Sequence, residues 1–315
     1  MNSGVPLRAF SFSGDGVTAV VTTRHGGVSS GPYDNLNLGA QVGDDLQAVR
    51  QNRGRVAATL GVDRLTIAAQ QHTNRVAVVD RANAGRGHSG VAGSQSAFPA
   101  TDGLITDLPG TALAVVVADC APVVLFDPVH RAIGVAHCGR MGTVRGMLPN
   151  TVEAMAATFG TAPEDLLVGI GPTIRAESYE VGDAEAAEMA AAFGADAAGL
   201  LKPTRPGHCT LDVVGGLRIQ LRRAGVKDAN VHDMGIDTRV ATDEFFSHRA
   251  ARPSGRFAAV AMLTSATPTS ARRPGRPPPG RTAPPRSRTA TGASRRRSSA
   301  RSGRTRPRTS WAPCR

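Results

Sequence analysis

His72, Cys120 and His137 are the side chains whose types could do chemistry together. One thiolate and two imidazoles around a cation leave a fourth corner open, which is the outline of a catalytic zinc site. Zinc held in that way lowers the pKa of water towards neutrality. The same donors match the equatorial set of a copper electron-transfer centre. Without a metal, Cys120 would be a nucleophile and His137 its base, the arrangement of a Cys-His hydrolase. Asp102 and Asp119 stand near these ligands as candidate acids or bases.

The elements that must position them start from Leu113 to Gly142, three apolar runs separated by breaks at Asp119-Cys120-Ala121-Pro122 and Asp127-Pro128-Val129-His130. Val-rich runs bounded by turn residues predict strands. A tight turn pairing Asp127 with His130 carries the register back to Cys120 opposite His137, with both side chains on one sheet face. A bulge at Pro122 would shift the register by one and part them.

Upstream, Val17 to Thr22 predicts a strand delivering Arg24 into the glycine-containing loop His25 to Pro32, an expected anion site for a group such as phosphate. Asp44 or Asp45 caps a helix that ends at Gly61. Leu65 to Gln71 and Arg75 to Asp80 read as a hairpin with His72 at a strand end, and Asn83 to Ala100 as a mobile loop with a solvated His88. Thr101 to Thr106 resumes order. Downstream, a helix through Val152, Met155 and Phe159 stops at Gly160, and Pro149 is expected to kink or restart it. A strand over Leu166 to Gly171, helices over Asp183 to Phe193 and Asp212 to Ala224, and strands over Val231 to Ile236 and Phe257 to Leu263 follow. Hairpins mixed with strand-helix alternation predict an α+β domain, a single domain of mixed β-sheets flanked by helices over residues 1–265.

The formal charge of +12 is uneven: 14 of the 37 Lys and Arg residues lie beyond Thr264, where there is no acid. The remainder balances 23 basic against 25 acidic groups, so it gives no reason to expect nucleic acid. Residues 266–315 are Arg, Pro, Ser, Thr, Gly and Ala with a single Trp and a single Cys, a composition expected to be disordered. Such a tail could bind phosphate backbones weakly. Its composition is also that of a GC-rich gene read out of frame, so a frameshift product is the competing expectation. Four cysteines without disulfide spacing, no leader pattern and no run of membrane-spanning length predict a cytoplasmic protein, a monomer or small homo-oligomer.

Several motifs occur in order: Thr22-Thr23-Arg24-His25-Gly26-Gly27-Val28-Ser29, Asn35-Leu36-Asn37-Leu38-Gly39, Gln70-Gln71-His72, Thr101-Asp102-Gly103, Ala118-Asp119-Cys120-Ala121-Pro122-Val123, Ala136-His137-Cys138-Gly139, Tyr179-Glu180-Val181-Gly182 and Phe245-Phe246-Ser247-His248-Arg249. From about Val17 to Leu263 the chain resembles the laccase-domain family of purine nucleoside phosphorylases, formerly described as polyphenol oxidoreductases. The resemblance implies zinc, with copper as the alternative, bound by His72, Cys120 and His137. It implies phosphorolysis of adenosine, inosine, guanosine and methylthioadenosine, deamination of adenosine, and a fold related to cysteine hydrolases. For that chemistry the expected catalytic residues are Cys120 and His137, with Asp102 or Asp119 as proton shuttle, and the expected substrate-binding residues are Arg24, Asn37, Gln70 and Arg140. The chain departs from the family pattern at Met141, where an Arg is usual and Arg140 or Arg145 would have to substitute. It departs also at Ala250, where a second Arg often follows Arg249, and at Pro149.

Overall fold

The computed structural model describes residues 4–14, 16–90 and 98–264. Residues 91–97 of the Gly/Ser-rich loop and the whole Arg-rich segment lie outside the described residues.

In chain order the elements are β1 (Leu7–Ala9), β2 (Val17–Thr22), α1 (Leu46–Thr59), β3 (Leu65–Ile67) and β4 (Val76–Val78). Then come β5 (Gly103–Thr106), β6 (Ala112–Val117), β7 (Ala121–Asp127), β8 (Ala132–Cys138), α2 (Arg140–Val144) and α3 (Met147–Phe159). The last group is β9 (Leu167–Ile170), β10 (Glu180–Gly182), α4 (Asp183–Phe193), β11 (Leu201–Pro203), β12 (His208–Leu211), α5 (Val213–Arg223), β13 (Val231–Asp233) and β14 (Phe257–Leu263). One sheet has the order β1-β2-β14-β6-β3, a second β13-β9-β7-β8-β5-β4, and a small third one β10-β12-β11. Both large sheets are mixed: β3 runs parallel to β6, β4 to β5 and β13 to β9, while the other pairs are antiparallel. The expected mixed sheets flanked by helices are what the chain forms.

Strand alternation explains the layering. Along β14, Phe257, Ala259, Ala261 and Leu263 face the space between the two large sheets, while Ala258, Val260 and Met262 pack towards Val56 and Ala57 of α1. Along β7, Val124 and Phe126 enter the same space, and Val123 and Leu125 meet Val152 and Met155 of α3 and Leu217 of α5. The order is therefore α1, five-stranded sheet, six-stranded sheet, remaining helices. Central strands with both faces covered read as continuous apolar runs, which is why Leu113 to Gly142 carries so little polar alternation.

Four expectations need correction. The β7–β8 register pairs Asp127 with Ala132 and Pro122 with His137, two residues away from the tight-turn register, because Pro128 to Arg131 all belong to the turn. A shift of two preserves the side-chain face, so Cys120 and His137 remain on one side as diagonal neighbours. The two strands around His72 are no hairpin: β3 joins the five-stranded sheet and β4 the six-stranded one. The helix break falls at Gly146 (φ 75°), and Pro149 occupies the third position of α3, inside the first turn where its missing N–H costs no helical bond. Residues 83–90 are ordered turns, in which Thr66 Oγ1 accepts from Gly85 N and His88 Nδ1 accepts from Leu65 N at 3.1 Å, so His88 is a structural acceptor.

Candidate functional site

Two of the three candidate ligands sit where the chain passes from one large sheet to the other. His72 lies in the β3–β4 crossing and Cys120 in the β6–β7 crossing, while His137 projects from β8. Both crossings use left-handed backbone at non-glycine residues, His72 (φ 55°) and Asp119 (φ 80°), positions that persist only when their surroundings fix them. His72 is clamped on both sides: its N–H donates to Asp102 Oδ1 at 3.0 Å and its carbonyl accepts from the Arg145 guanidinium. Asp119 is clamped too, its carbonyl accepting from Thr173 Oγ1 and Ile174 N and its carboxylate from Thr238 Oγ1 and Arg249 N.

These constraints bring one donor atom each from His72, Cys120 and His137 within 4.8 Å of one another. It is the one such group of His, Cys, Asp and Glu donors among the described residues. His72 is exposed, Cys120 half-buried and His137 buried, with the two imidazole centroids 4.7 Å apart. Gly139 closes the back of the cluster: a Cβ there would stand 2.4 Å from Cys120 Sγ and 3.4 Å from His72 Nδ1. Only a residue without a side chain leaves the sulfur in place.

Asp102 organises the cluster from behind. It is buried, and its carboxylate accepts from five donors: the N–H groups of Gln71, His72 and Thr73, the Thr73 hydroxyl, and His137 Nδ1 at 2.8 Å. Burial opposes its charge, yet the donors from His137 and Thr73 outweigh this and hold the carboxyl well below the usual carboxylate range. An ionised Asp102 can only accept, so Nδ1 of His137 carries the proton and Nε2 is left for the cluster. Burial would lower the His137 pKa, but the Cys120 sulfur and Asp102 raise it to about 9. Although His72 as a residue is exposed, its ring packs into the cluster, and the desolvation of that ring first, then His137, lowers its pKa to about 4. Two imidazoles and a thiol with a carboxylate behind one imidazole are a donor set that suits a borderline divalent cation.

The cluster opens onto a two-lobed cleft. The larger lobe, about 820 Å³, is bounded by His72, His137, Gln71, Arg256 and the apolar edge of Ile67, Ala68 and Val116. The smaller, about 180 Å³, lies against Arg140, Tyr179, Arg249 and Arg252. Ala118, Cys120 and His248 border both.

The other expected site residues fall in different places. Arg24 borders neither lobe; its guanidinium donates to the carbonyls of Asp34 and Thr242 and stacks over Phe246 at 4.6 Å. The glycine loop serves the chain's own packing, since a Cβ on Gly27 would lie 2.0 Å from the carbonyl oxygen of Asn35. Asn37 is fully buried and joins Gly39, Asp44 and Arg256 N. Gln70 borders the larger lobe, but its amide is spent on both backbone groups of Val116. Arg140 borders the smaller lobe and pairs with Glu188. Sequence reasoning gave no role to Gly139, Tyr179, His248, Arg249, Arg252 or Arg256; the Phe245 to Arg249 and Tyr179 to Gly182 motifs were the available signal.

Two stacked mixed sheets presenting a His-Cys-His centre to a cleft define a candidate metal-dependent enzyme. The chain belongs to the multi-copper polyphenol oxidoreductase laccase family, whose model matches residues 18–264. Among curated relatives, the purine nucleoside phosphorylase ORF3 of Streptomyces griseus is 39% identical over 77% of this chain and 92% of its own. The purine nucleoside phosphorylase SCO2081 of Streptomyces coelicolor is 41% identical over 77% and 93%. Of solved structures, YlmD from Geobacillus stearothermophilus superposes with a TM-score of 0.76 at 32% identity, covering 82% of this chain and 97% of that one. The relatives thus place an enzyme family, and purine nucleoside phosphorylase names, beside a geometry capable of holding a metal.

Proposed function

We propose that the protein is a zinc-dependent purine nucleoside phosphorylase acting on adenosine, inosine, guanosine and methylthioadenosine, and that it also deaminates adenosine. The observation that carries this reading is the convergence of His72, Cys120 and His137 donors within 4.8 Å at the wall of a cleft of nucleoside size. The purine nucleoside phosphorylase names of its relatives support the substrate class.

In this reading His72, Cys120 and His137 hold zinc, which supplies Lewis acidity next to the bound nucleoside. The protein's own residues set the geometry. Asp102 keeps the His137 proton on Nδ1 and fixes the His72 backbone, and Asp119 holds the turn that aims Cys120, so both are positioning residues. Gln70 pins the floor of the larger lobe to β6, and Ile67, Ala68 and Val116 keep water from one face of a bound purine. Phosphorolysis balances without a further reagent: an oxygen of hydrogen phosphate bonds to the ribose anomeric carbon as the glycosidic C–N bond breaks. The electron pair leaves with the purine, which receives the proton that hydrogen phosphate gives up. Cys120, Cys138 and Cys209 are free thiols, which suits a reducing cytoplasm.

The test is to incubate the purified, zinc-loaded protein with adenosine with and without phosphate and to separate the products. Adenine with ribose 1-phosphate, formed only with phosphate, is expected, with inosine as the phosphate-independent product. Turnover of a phenol by the copper-loaded protein, with a blue absorption band and no nucleoside cleavage, would replace this reading by the oxidase one.

A further inference from the structure

We infer that the smaller lobe is a phosphate alcove, with Arg249 and Arg252 as its principal anion-binding residues and Arg140 at its margin. The role of that phosphate as co-substrate rests on the phosphorylase reading; the recognition of the anion does not.

Size separates the two lobes: about 180 Å³ is tight for a nucleoside and ample for a tetrahedral oxyanion, whereas about 820 Å³ takes the nucleoside. Charge points the same way. Three guanidinium groups border the alcove against the single carboxylate of Asp119. Both oxygens of that carboxylate are already occupied, by the Thr238 hydroxyl and the Arg249 N–H. Glu188 offsets Arg140, which leaves Arg249 and Arg252 as the cations without a carboxylate partner among the described residues.

Each of those two is held in place by a neutral group. Arg249 donates Nη1 to the Glu180 carbonyl at 2.9 Å and lies 4.9 Å above the Tyr179 ring. Arg252 donates Nε to the His248 carbonyl at 3.2 Å. A guanidinium anchored through a carbonyl or a ring keeps its full charge and further N–H groups for a ligand, and paired guanidinium groups match oxyanion geometry. Position completes the case. Because Cys120, Ala118 and His248 border both lobes, an anion in the alcove adjoins both the ligand cluster and whatever fills the larger lobe. Arg24, whose donors are committed to Asp34 and Thr242, has no such access.

The full-length protein is titrated calorimetrically with inorganic phosphate, alongside Arg252→Gln, Arg249→Gln and, as a remote charge control on α5, Arg222→Gln. In parallel the KM for phosphate and for inosine is measured. Arg252 is exposed and its side chain bonds the His248 carbonyl and no strand, so Arg252→Gln keeps the test valid should Arg249→Gln disturb the Glu180 strand. We expect each alcove variant to weaken phosphate binding about tenfold or more, as for a charge-assisted hydrogen bond. The KM for inosine and the behaviour of Arg222→Gln should stay as in the wild type. No phosphate binding by the wild type, or equal losses in the control, overturns the alcove. Phosphate binding that depends on the alcove without nucleoside cleavage upholds it and removes the phosphorylase reading. Cleavage with an unchanged phosphate KM in both alcove variants does the reverse.

Discussion

At the scale of single residues, the cluster depends on one absent side chain and one buried carboxylate. Gly139→Ala places a methyl 2.4 Å from Cys120 Sγ, while the backbone at φ −82° accepts alanine without strain. The variant should fold and lose metal affinity by about tenfold or more, measured by competition with a chromophoric chelator. Asp102→Asn should lower metal affinity by about 10–100-fold, the range for a carboxylate behind a ligating imidazole. It should also cost about 1–3 kcal/mol of stability, since an amide cannot accept from all the donors that converge there. Unchanged affinity in Asp102→Asn would mean that His137 is oriented by packing alone. The pH dependence follows from His137. In the metal-free protein it keeps its proton up to about pH 9, so a cation must displace that proton, whereas His72, at about 4, is already neutral. Apparent metal affinity should therefore rise with pH and flatten near 9, with proton release on binding at neutral pH. An affinity that is flat between pH 6 and 9 would contradict this.

At the scale of elements, α1 ties the N-terminal loops to the five-stranded sheet. Asp45 caps it by accepting from Gln47 N, and from its buried face Asn52 accepts from Val28 N and donates to Ser29 Oγ, Asn35 O and Asn37 O. Asn52→Leu strands several buried polar groups at once and should destabilise by at least about 2 kcal/mol, whereas Asp45→Ala should cost about 1 kcal/mol. Denaturant unfolding measures both, and equal effects would mean that the loop network is no more than a cap. The Arg24 loop belongs to the same scaffold. A strand end, glycines and an arginine read in the sequence as an anion site, because glycine permits backbone approach of any kind. Here the approaching group is the Asn35 carbonyl, and nothing in residues 24–32 alone identifies it.

At the scale of the whole molecule, β14, the last element among the described residues, lies in the middle of the five-stranded sheet, and the family match ends one residue beyond it. A chain ending at Thr264 should keep the proposed nucleoside turnover and lose any salt-dependent binding to nucleic acid. Loss of turnover on that truncation would assign the Arg-rich segment a part in the fold. Among the described residues no helix is long and apolar enough to cross a membrane.

The ends of α4 and β14, the cap of α1, and the face shared by Cys120 and His137 were legible in the chain, because they follow from local rules of capping and strand alternation. The stacking of one sheet on the other was not. Neither was the sorting of β3 and β4 into different sheets, because a strand's neighbours depend on contacts remote in sequence. The identities of the three donors were written in the motifs. Their meeting was decided by the crossings between sheets, where clamped left-handed backbone at His72 and Asp119 turns two loops towards β8. Arg249 and Arg252 took their place at the cleft in the same way, since burial and charge pairing are settled only once distant segments pack.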